Sequence, residues 1–422
     1  MNAEILIVGA GIYGVSTAYH LAKSSSHDAS RITILDRAPA PSTNAASTDV
    51  SKIVRADYED LFYMELAYEA MDAWKSLPFF KDSGVYHQTG WISFDEKGSD
   101  LTDRVRENFR KSSRKDVTYL MSAEEVKKSW GGLLEKADLS PFETYYFNPD
   151  VAWVDAGRAV EIMAAEAVKM GVRYEVGEVA RVLEGERGGV KGVETTDGKV
   201  YGADKVVLCS GAWTSSIMAS LEDELRLPEE KTIESQIYPA GVVVSHFQLS
   251  AEEKKVYDQL PIVIYGEQGE LWPPTDSGLL KNAHAITFTN TITAKSGRPI
   301  TVPAPGSQFD VPRKLQDLAL QQVRARLPQI LDGDRQVDYF RLCWDSVTHN
   351  KHPVITRHPD ERLQNLYIAA GGSFHTWKFL PTIGKYVANV IDGVGNGSER
   401  DGLWAWKTTA PKRDRKELKE FY

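Results

Sequence analysis

The first forty residues constrain this chain more than any other stretch. The apolar run Glu4-Ile-Leu-Ile-Val-Gly-Ala-Gly-Ile-Tyr-Gly14 ends in glycines at 9, 11 and 14. An amphipathic segment follows from Val15 to Lys23, and Ile32-Thr-Ile-Leu-Asp36 reads as a second buried strand. Strand, glycine turn, helix and strand in this order form the fingerprint of a dinucleotide site. Gly9 permits the tight turn, Gly11 lets a pyrophosphate approach the backbone, and Gly14 lets helix and strand pack closely. Free N–H groups and the dipole at the helix start favour the phosphates. The Asp36 carboxylate, at the end of the second strand, is placed to accept hydrogen bonds from a ribose.

The remaining 380 or so residues of the 422 leave room for two or three domain-sized units. A net charge of −9 argues against wholesale nucleic-acid binding. Two cysteines cannot build a disulfide framework, which points to a reducing compartment. No apolar run is long enough to span a membrane, Ile5–Val8 is too short for a signal-peptide core, and Lys419-Glu-Phe-Tyr422 is not a peroxisomal address. The expectation is a cytoplasmic protein.

Past the fingerprint, residues 39–51 form a loop of small residues, suited to backbone running close to a flat ligand. Lys52-Ile-Val-Arg55 and Tyr58 follow, then a helix over about 60–76. By spacing alone, Lys52 and Arg55 read as a solvated face. Charges are dense over 77–143, an excursion from the dinucleotide core. The core resumes near Val151. Asp155 caps a helix with Val160, Met163, Ala164, Ala167 and Val168 on one face, and Gly171 ends it. Val172, Tyr174 and Val176 alternate as a strand, Asp197-Gly198 is a hairpin turn, and Val206 to Gly211 is another buried strand. Cys209, inside it, reads as a small core residue.

From Ser215 to about Val337 the chain holds mixed strands, proline-rich pieces and a helix with Leu315, Leu318, Val323 and Leu327. Near the C-terminus the strand Asn365 to Ala370 runs into Gly371 to Gly384, then a helix with Ile383, Val387, Val390 and Ile391 on one face. Pro381 suits its first turn, and its N-terminus could point at a negative group. His349, His352 and His358 match no metal-ligand spacing, and Pro353 and Pro359 break any helix presenting them together. His375 is cofactor-facing or simply loop. The last sixteen residues carry six Lys/Arg and read as a solvated or loosely docked tail.

Five pieces taken jointly resemble the monomeric sarcosine oxidase family of flavoprotein amine oxidases. They are Gly9-Ala-Gly-Ile-Tyr-Gly14 with Asp36, Asp49-Val-Ser-Lys-Ile-Val-Arg55, Cys209-Ser-Gly-Ala-Trp213, Arg341-Leu-Cys-Trp-Asp345, and Gly371 to Gly384. The chain is most similar to the fungal branch of L-saccharopine and L-pipecolate oxidases, with the fructosyl amino acid oxidases (amadoriases) as relatives. The resemblance implies an α/β fold, α+β overall. A Rossmann-type FAD-binding domain (1–76, 146–215, 336–395) interleaves with a substrate domain on a mixed or antiparallel sheet (77–145, 216–335), and 396–422 is a tail. It implies FAD tethered through its 8α-carbon to the sulfur of Cys343, which by position alone reads as a buried thiol.

The resemblance also carries over the site residues. The cofactor would be held by Gly9, Ala10, Gly11, Ile12, Tyr13, Gly14, Asp36 and Arg37. Ser47, Thr48, Lys52 and Ile53 would hold it from the small-residue loop, Val179 near adenine, and Ser210, Gly211 and Trp213 after the returning strand. Cys343, Asp345, Gly372, Phe374, His375 and Lys378 would complete the set. Arg55 and Lys378 would hold a substrate carboxylate, with Tyr58 over the substrate. Lys281, in Gly278-Leu-Leu-Lys-Asn282, and Lys52 would be catalytic, Lys281 assisting reaction with dioxygen. Within the family, an arginine at the place of Arg55 marks the saccharopine and pipecolate type and is generally missing from amadoriases. Gly269-Glu-Leu-Trp-Pro-Pro274 departs from the Phe-Phe-Glu-Pro pattern of many relatives, at a place that bears on side-chain specificity.

The expected activity is oxidation of a secondary-amine amino acid to an imine, with O2 reduced to H2O2, by a monomer acting on a small molecule without metal, membrane or nucleic acid. The alternatives are a fructosyl amino acid oxidase, an oxidase of an N-methyl or cyclic amino acid in a specialised pathway, and a nicotinamide-linked dehydrogenase or non-catalytic redox-binding protein on the same glycine loop.

Overall fold

Ala3–Val8 lies at the centre of an eight-stranded sheet, with parallel neighbours on both sides: Val200–Leu208 and Ile32–Asp36. A strand covered on both faces needs apolar residues throughout, which is why Ile5 to Val8 shows no alternation. The structure, a computed structural model, describes residues 3–112, 114–186, 188–408 and 416–422. The parallel core continues to Leu366–Ala370 on one side and Arg173–Val176 on the other. Val179–Glu184 and Val190–Thr195 extend it antiparallel, and Gly198 turns the chain at φ +83 where the Asp-Gly pair predicts a hairpin.

The second sheet has nine strands in mixed pairing, as expected. Tyr238–Gln248 lies antiparallel between Leu279–Thr289 and Tyr339–Val347. Trp91–Glu96 pairs parallel with Ile262–Tyr265 and antiparallel with Phe142–Asn148. Tyr339–Val347, which the sequence boundaries group with the first unit, hydrogen-bonds in this second sheet. Ser51–Val54 belongs to a small separate sheet with Ala152–Asp155 and Tyr86–Gln88.

The helices follow their caps. Asp60 accepts from the Phe62 N–H at the start of Leu61–Ser76, and Asp155 from the Arg158 N–H at the start of Ala156–Lys169, which Gly171 stops at φ +110. Two sequence expectations fail. The helix near the C-terminus runs Ile383–Ile391 with Thr382 as its cap, so Pro381 lies outside it. Its N-terminus meets the helix Ile12–Lys23: the Gly384 N–H donates to Ser16 Oγ at 2.9 Å, and a Cβ on Gly384 would lie 2.1 Å from the Ser16 carbonyl. A glycine chosen for helix packing leaves no free end for an anion. Of the two readings of the tail, the docked one holds for its end: Lys416–Glu417 pairs with Leu279–Thr289, and Leu418 and Phe421 are buried. Residues 409–415 of that expectation lie outside the described residues. Among the described residues, no helix is long and apolar enough to cross a membrane.

Gly384→Ala is therefore expected to cost about 3 kcal/mol or more, the upper range for overpacking against backbone that cannot move aside. Gly402→Ala is the control, since nothing lies within 4 Å of its added carbon. A large drop in melting temperature for the first and none for the second checks the packing.

Candidate active site

A cavity of about 760 Å³ runs between the two sheets, within the usual size of a ligand cleft. One end is the glycine turn. Gly9 sits at φ +105, and a side chain there would strike the Cys209 carbonyl at 2.5 Å. A Cβ on Gly14 would lie 1.8 Å from the Gly9 carbonyl oxygen, so helix and turn touch as the spacing predicts. Helix Ile12–Lys23 has no side-chain cap beyond the Ile12 N–H to Ser47 Oγ contact at 3.2 Å. Its uncompensated dipole faces a cavity lined by Gly9, Gly11, Ile12, Ser47, Ser210 and Gly211.

Asp36 accepts from the Ala10 N–H at 2.7 Å and the Ala38 N–H at 3.2 Å, which fixes its carboxylate at the cavity wall beside Arg37, Val179 and Trp213. The Arg37 guanidinium lies 4.3 Å above the Trp213 ring. A cleft with a glycine-lined helix start and a carboxylate at one end fits a dinucleotide. Tyr13, Lys52, Ile53, Cys343, Asp345, Gly372, Phe374 and His375 also line it. Ala10, Gly14 and Thr48 do not: Ala10 and Gly14 shape the turn, and the Thr48 hydroxyl is spent on the Ser42 and Ala45 carbonyls. No residue of Ile383–Ile391 reaches the wall.

The other end is crowded with charge. Lys52 and Arg55 are not a solvated face; both line the cavity. Asp49 is buried and meets three cations, Lys281 Nζ at 2.6 Å, Lys52 Nζ at 3.3 Å and Arg341 Nη1 at 3.4 Å. Burial alone would raise its pKa, but the cations hold it well below the ordinary carboxylate range. Burial pushes the Lys281 ammonium down against the pull of Asp49, whereas for Lys52 burial is the largest single influence but Asp49, Cys343 and Asp345 together outweigh it and the pKa rises. Cys343, buried on the adjoining strand, opens onto the same space.

Arg55 is stacked, with Cζ 4.6 Å from the Tyr58 ring centre and 4.9 Å from that of Trp91. Among the described residues no carboxylate forms an ion pair with it. Trp91 is itself fixed by its Nε1–H to Asp57 at 3.1 Å, a buried carboxylate that also accepts from Tyr146 and Asn148. Beside Arg55, Lys378 Nζ donates to the Tyr58 hydroxyl at 2.6 Å and to the His375 carbonyl. The Tyr58 hydroxyl is 3.0 Å from His375 Nδ1, and His375 Nε2 is 2.7 Å from the Lys351 carbonyl. Burial lowers His375 to about 3, so the ring is neutral at pH 7 and both contacts fit one tautomer, with Nε2–H donating. Burial and then Arg55 hold the Lys378 ammonium well below the ordinary lysine range.

Ser373 and Phe374 take left-handed φ values of +48° and +64° at the cavity wall, and the Phe374 N–H donates to Asp345 at 2.6 Å. Cys209, expected in the core, is buried but also borders the cavity. Sequence reading passes over Asp57 and Trp91, names Trp272 only within Gly269 to Pro274, and gives Asp49 no role; the one available signal for Asp49 is an acid three residues before Lys52. His352 and His358 are used structurally, the first with the Tyr63 hydroxyl at 2.8 Å and the second accepting from the Asp360 N–H.

The family profile described as FAD dependent oxidoreductase matches residues 4–390. The L-saccharopine oxidase of Schizosaccharomyces pombe is 28% identical over 429 residues, covering 96% of this chain and 94% of that protein. A monomeric sarcosine oxidase of a Bacillus species is 23% identical over 401 residues, covering 92% and 91%. The crystal structure of the fructosamine oxidase amadoriase II of Aspergillus fumigatus superposes with a TM-score of 0.82 at 27% identity, covering 96% and 90%.

Proposed function

Since the chain belongs to the FAD dependent oxidoreductases, we propose that it oxidises a secondary-amine amino acid of the L-saccharopine or L-pipecolate type, giving an imine and H2O2. The observation that carries this reading is Arg55, a guanidinium held between two rings and facing the cavity with no ion pair among the described residues, next to Lys378. Such a fork suits a carboxylate. The relatives named for saccharopine and sarcosine oxidation support the choice of amine.

Bound FAD supplies the two-electron acceptor that takes hydride from the carbon beside the nitrogen and returns the electrons to O2. The protein's part is placement. The glycine turn, Asp36 and the helix start at Ile12 hold the dinucleotide. Arg55 and Lys378 anchor the substrate acid, and Tyr58 covers it. Lys281 and Lys52 put fixed positive charge where reduced oxygen gains negative charge. The Cys343 sulfur serves as the tether to the 8α-carbon. The same reading takes the chain as a monomer, with 1–76, 146–215 and 336–395 as the cofactor unit, 77–145 and 216–335 as the substrate unit and 396–422 as a tail.

A peroxide assay with saccharopine, pipecolate, sarcosine and fructosyl-glycine tests it. Turnover of the first or second supports the reading. Turnover of fructosyl-glycine alone replaces it with an amadoriase, and an empty panel with intact FAD points to another N-methyl or cyclic amino acid.

Lys378 gives a pH prediction. Its ammonium is disfavoured in the free site, and an arriving carboxylate favours it. Binding of a carboxylate ligand that carries no ionisable amine should therefore take up a proton, and its affinity should fall as pH rises past the free-site pKa of Lys378. Calorimetry of that binding in buffers of different ionisation enthalpy measures the uptake. Lys378→Met should abolish it, and zero uptake at every pH in the unmodified protein would contradict the assignment.

A further inference from the structure

Asp49 stands out as a buried carboxylate that touches no proposed substrate position yet ties together two parts of the chain. It lies just before the strand Ser51–Val54. Its cations come from Lys281 on Leu279–Thr289 and Arg341 on Tyr339–Val347, as well as from Lys52. Asp49 and Lys281 are each 1% exposed. Lys281 Nζ also donates to the Ser51 carbonyl at 2.7 Å and sits 3.7 Å from the Trp272 ring centre.

One buried carboxylate at the cavity wall faces three cations. Arg341 cannot give up its proton. Of the two lysines, Lys281 is the more buried, with 2% of its side chain exposed against 25% for Lys52. The other groups facing it are Cys343 and, directly across the sheet, His246, which burial keeps neutral at a pKa of about 4. Neither can replace the negative charge of Asp49 at neutral pH. With Asp49 neutralised, Lys281 is the group expected to shed its proton and its fixed position.

We propose that Asp49 is the positioning residue that keeps Lys281 charged and held at the cavity wall for the oxygen-dependent half of the reaction. This rests on the oxidase reading above. In that half-reaction, two electrons and two protons pass to O2 to make H2O2, and the oxygen is negatively charged until its protons arrive. A neutral, untethered amine cannot offset that charge.

The test needs no amine substrate. Holoenzyme is reduced anaerobically with dithionite and mixed with oxygenated buffer across pH 6 to 9. Asp49→Asn should slow re-oxidation at least about tenfold at pH 8, with the gap closing toward pH 6 as Lys281 regains its proton. Lys281→Met should be slow at every pH, Asp49→Asn/Lys281→Met no slower than Lys281→Met alone, and Asp49→Glu close to the unmodified enzyme. Independently of turnover, Asp49→Asn should lower the melting temperature much less in the Lys281→Met background than in the unmodified protein. Should Asp49→Asn alone fail to retain FAD, the double variant decides: retention supports the proposal, and equal failure overturns it. Re-oxidation unchanged, or slowed by one constant factor at all pH values, also overturns it. Unmodified holoenzyme that O2 does not re-oxidise would instead sink the oxidase reading itself.

Discussion

Arg55→Ala is expected to raise KM for the carboxylated amine roughly 10- to 150-fold, the loss of a charge-assisted hydrogen bond worth about 1.5–3 kcal/mol. The upper part of that range is favoured by how the guanidinium is held. Tyr58 and Trp91 flank it at 4.6 and 4.9 Å, and Trp91 is locked in turn by Asp57. A fork fixed before the substrate arrives loses little side-chain entropy on binding. Arg55→Lys keeps the charge but not the planar fork, so it should recover only part of the loss. A substrate analogue lacking the carboxylate should bind the variant and the unmodified enzyme alike. Steady-state kinetics with both ligands make the test, and a KM unchanged for the acid would remove Arg55 from the substrate site.

The parts of this site that could be read from the sequence are those set by local geometry. Gly9 and Gly14 are legible because a turn with φ +105 and a carbonyl 1.8 Å from a would-be Cβ admit little but glycine. Asp60 and Asp155 are legible as caps. What local pattern cannot report is which way a residue faces once distant segments meet. Lys52 and Arg55 have the spacing of a solvated strand face, and only the arrival of Trp91, Lys281 and Lys378 turns that face into a cavity wall. Asp57 is the clearest case. Its donors lie 34, 89 and 91 residues away, so nothing near it in sequence distinguishes it from a surface acid. Gly384 misleads for the opposite reason. A glycine at a helix start resembles an anion site, but here it makes room for Ser16. The resemblance to flavin amine oxidases supplied Cys343, Lys281 and Lys378, which position alone leaves as buried or unremarkable residues.

Cys343→Ser should convert a tethered cofactor into a dissociable one. Both cysteines of the chain border the cavity, so proximity alone does not choose between them. Electrostatics does. The thiolate is the reactive form, and burial pushes both thiols up. At Cys209 nothing opposes that rise. At Cys343 the charges of Arg341, Lys52 and Lys281 pull back toward the thiolate, against burial and Asp49. Burial still wins at both, but only at Cys343 do neighbouring cations favour the thiolate, so 343 is the expected tether position. Acid-precipitated unmodified protein should give a yellow pellet, Cys209→Ser the same, and Cys343→Ser a colourless pellet with FAD in the supernatant. The glycine turn and Asp36 are untouched by the substitution, so Cys343→Ser should still bind FAD before acid is added. A yellow pellet from Cys343→Ser would place the tether on another residue, and a colourless one from the unmodified protein would mean that FAD is held without a covalent bond.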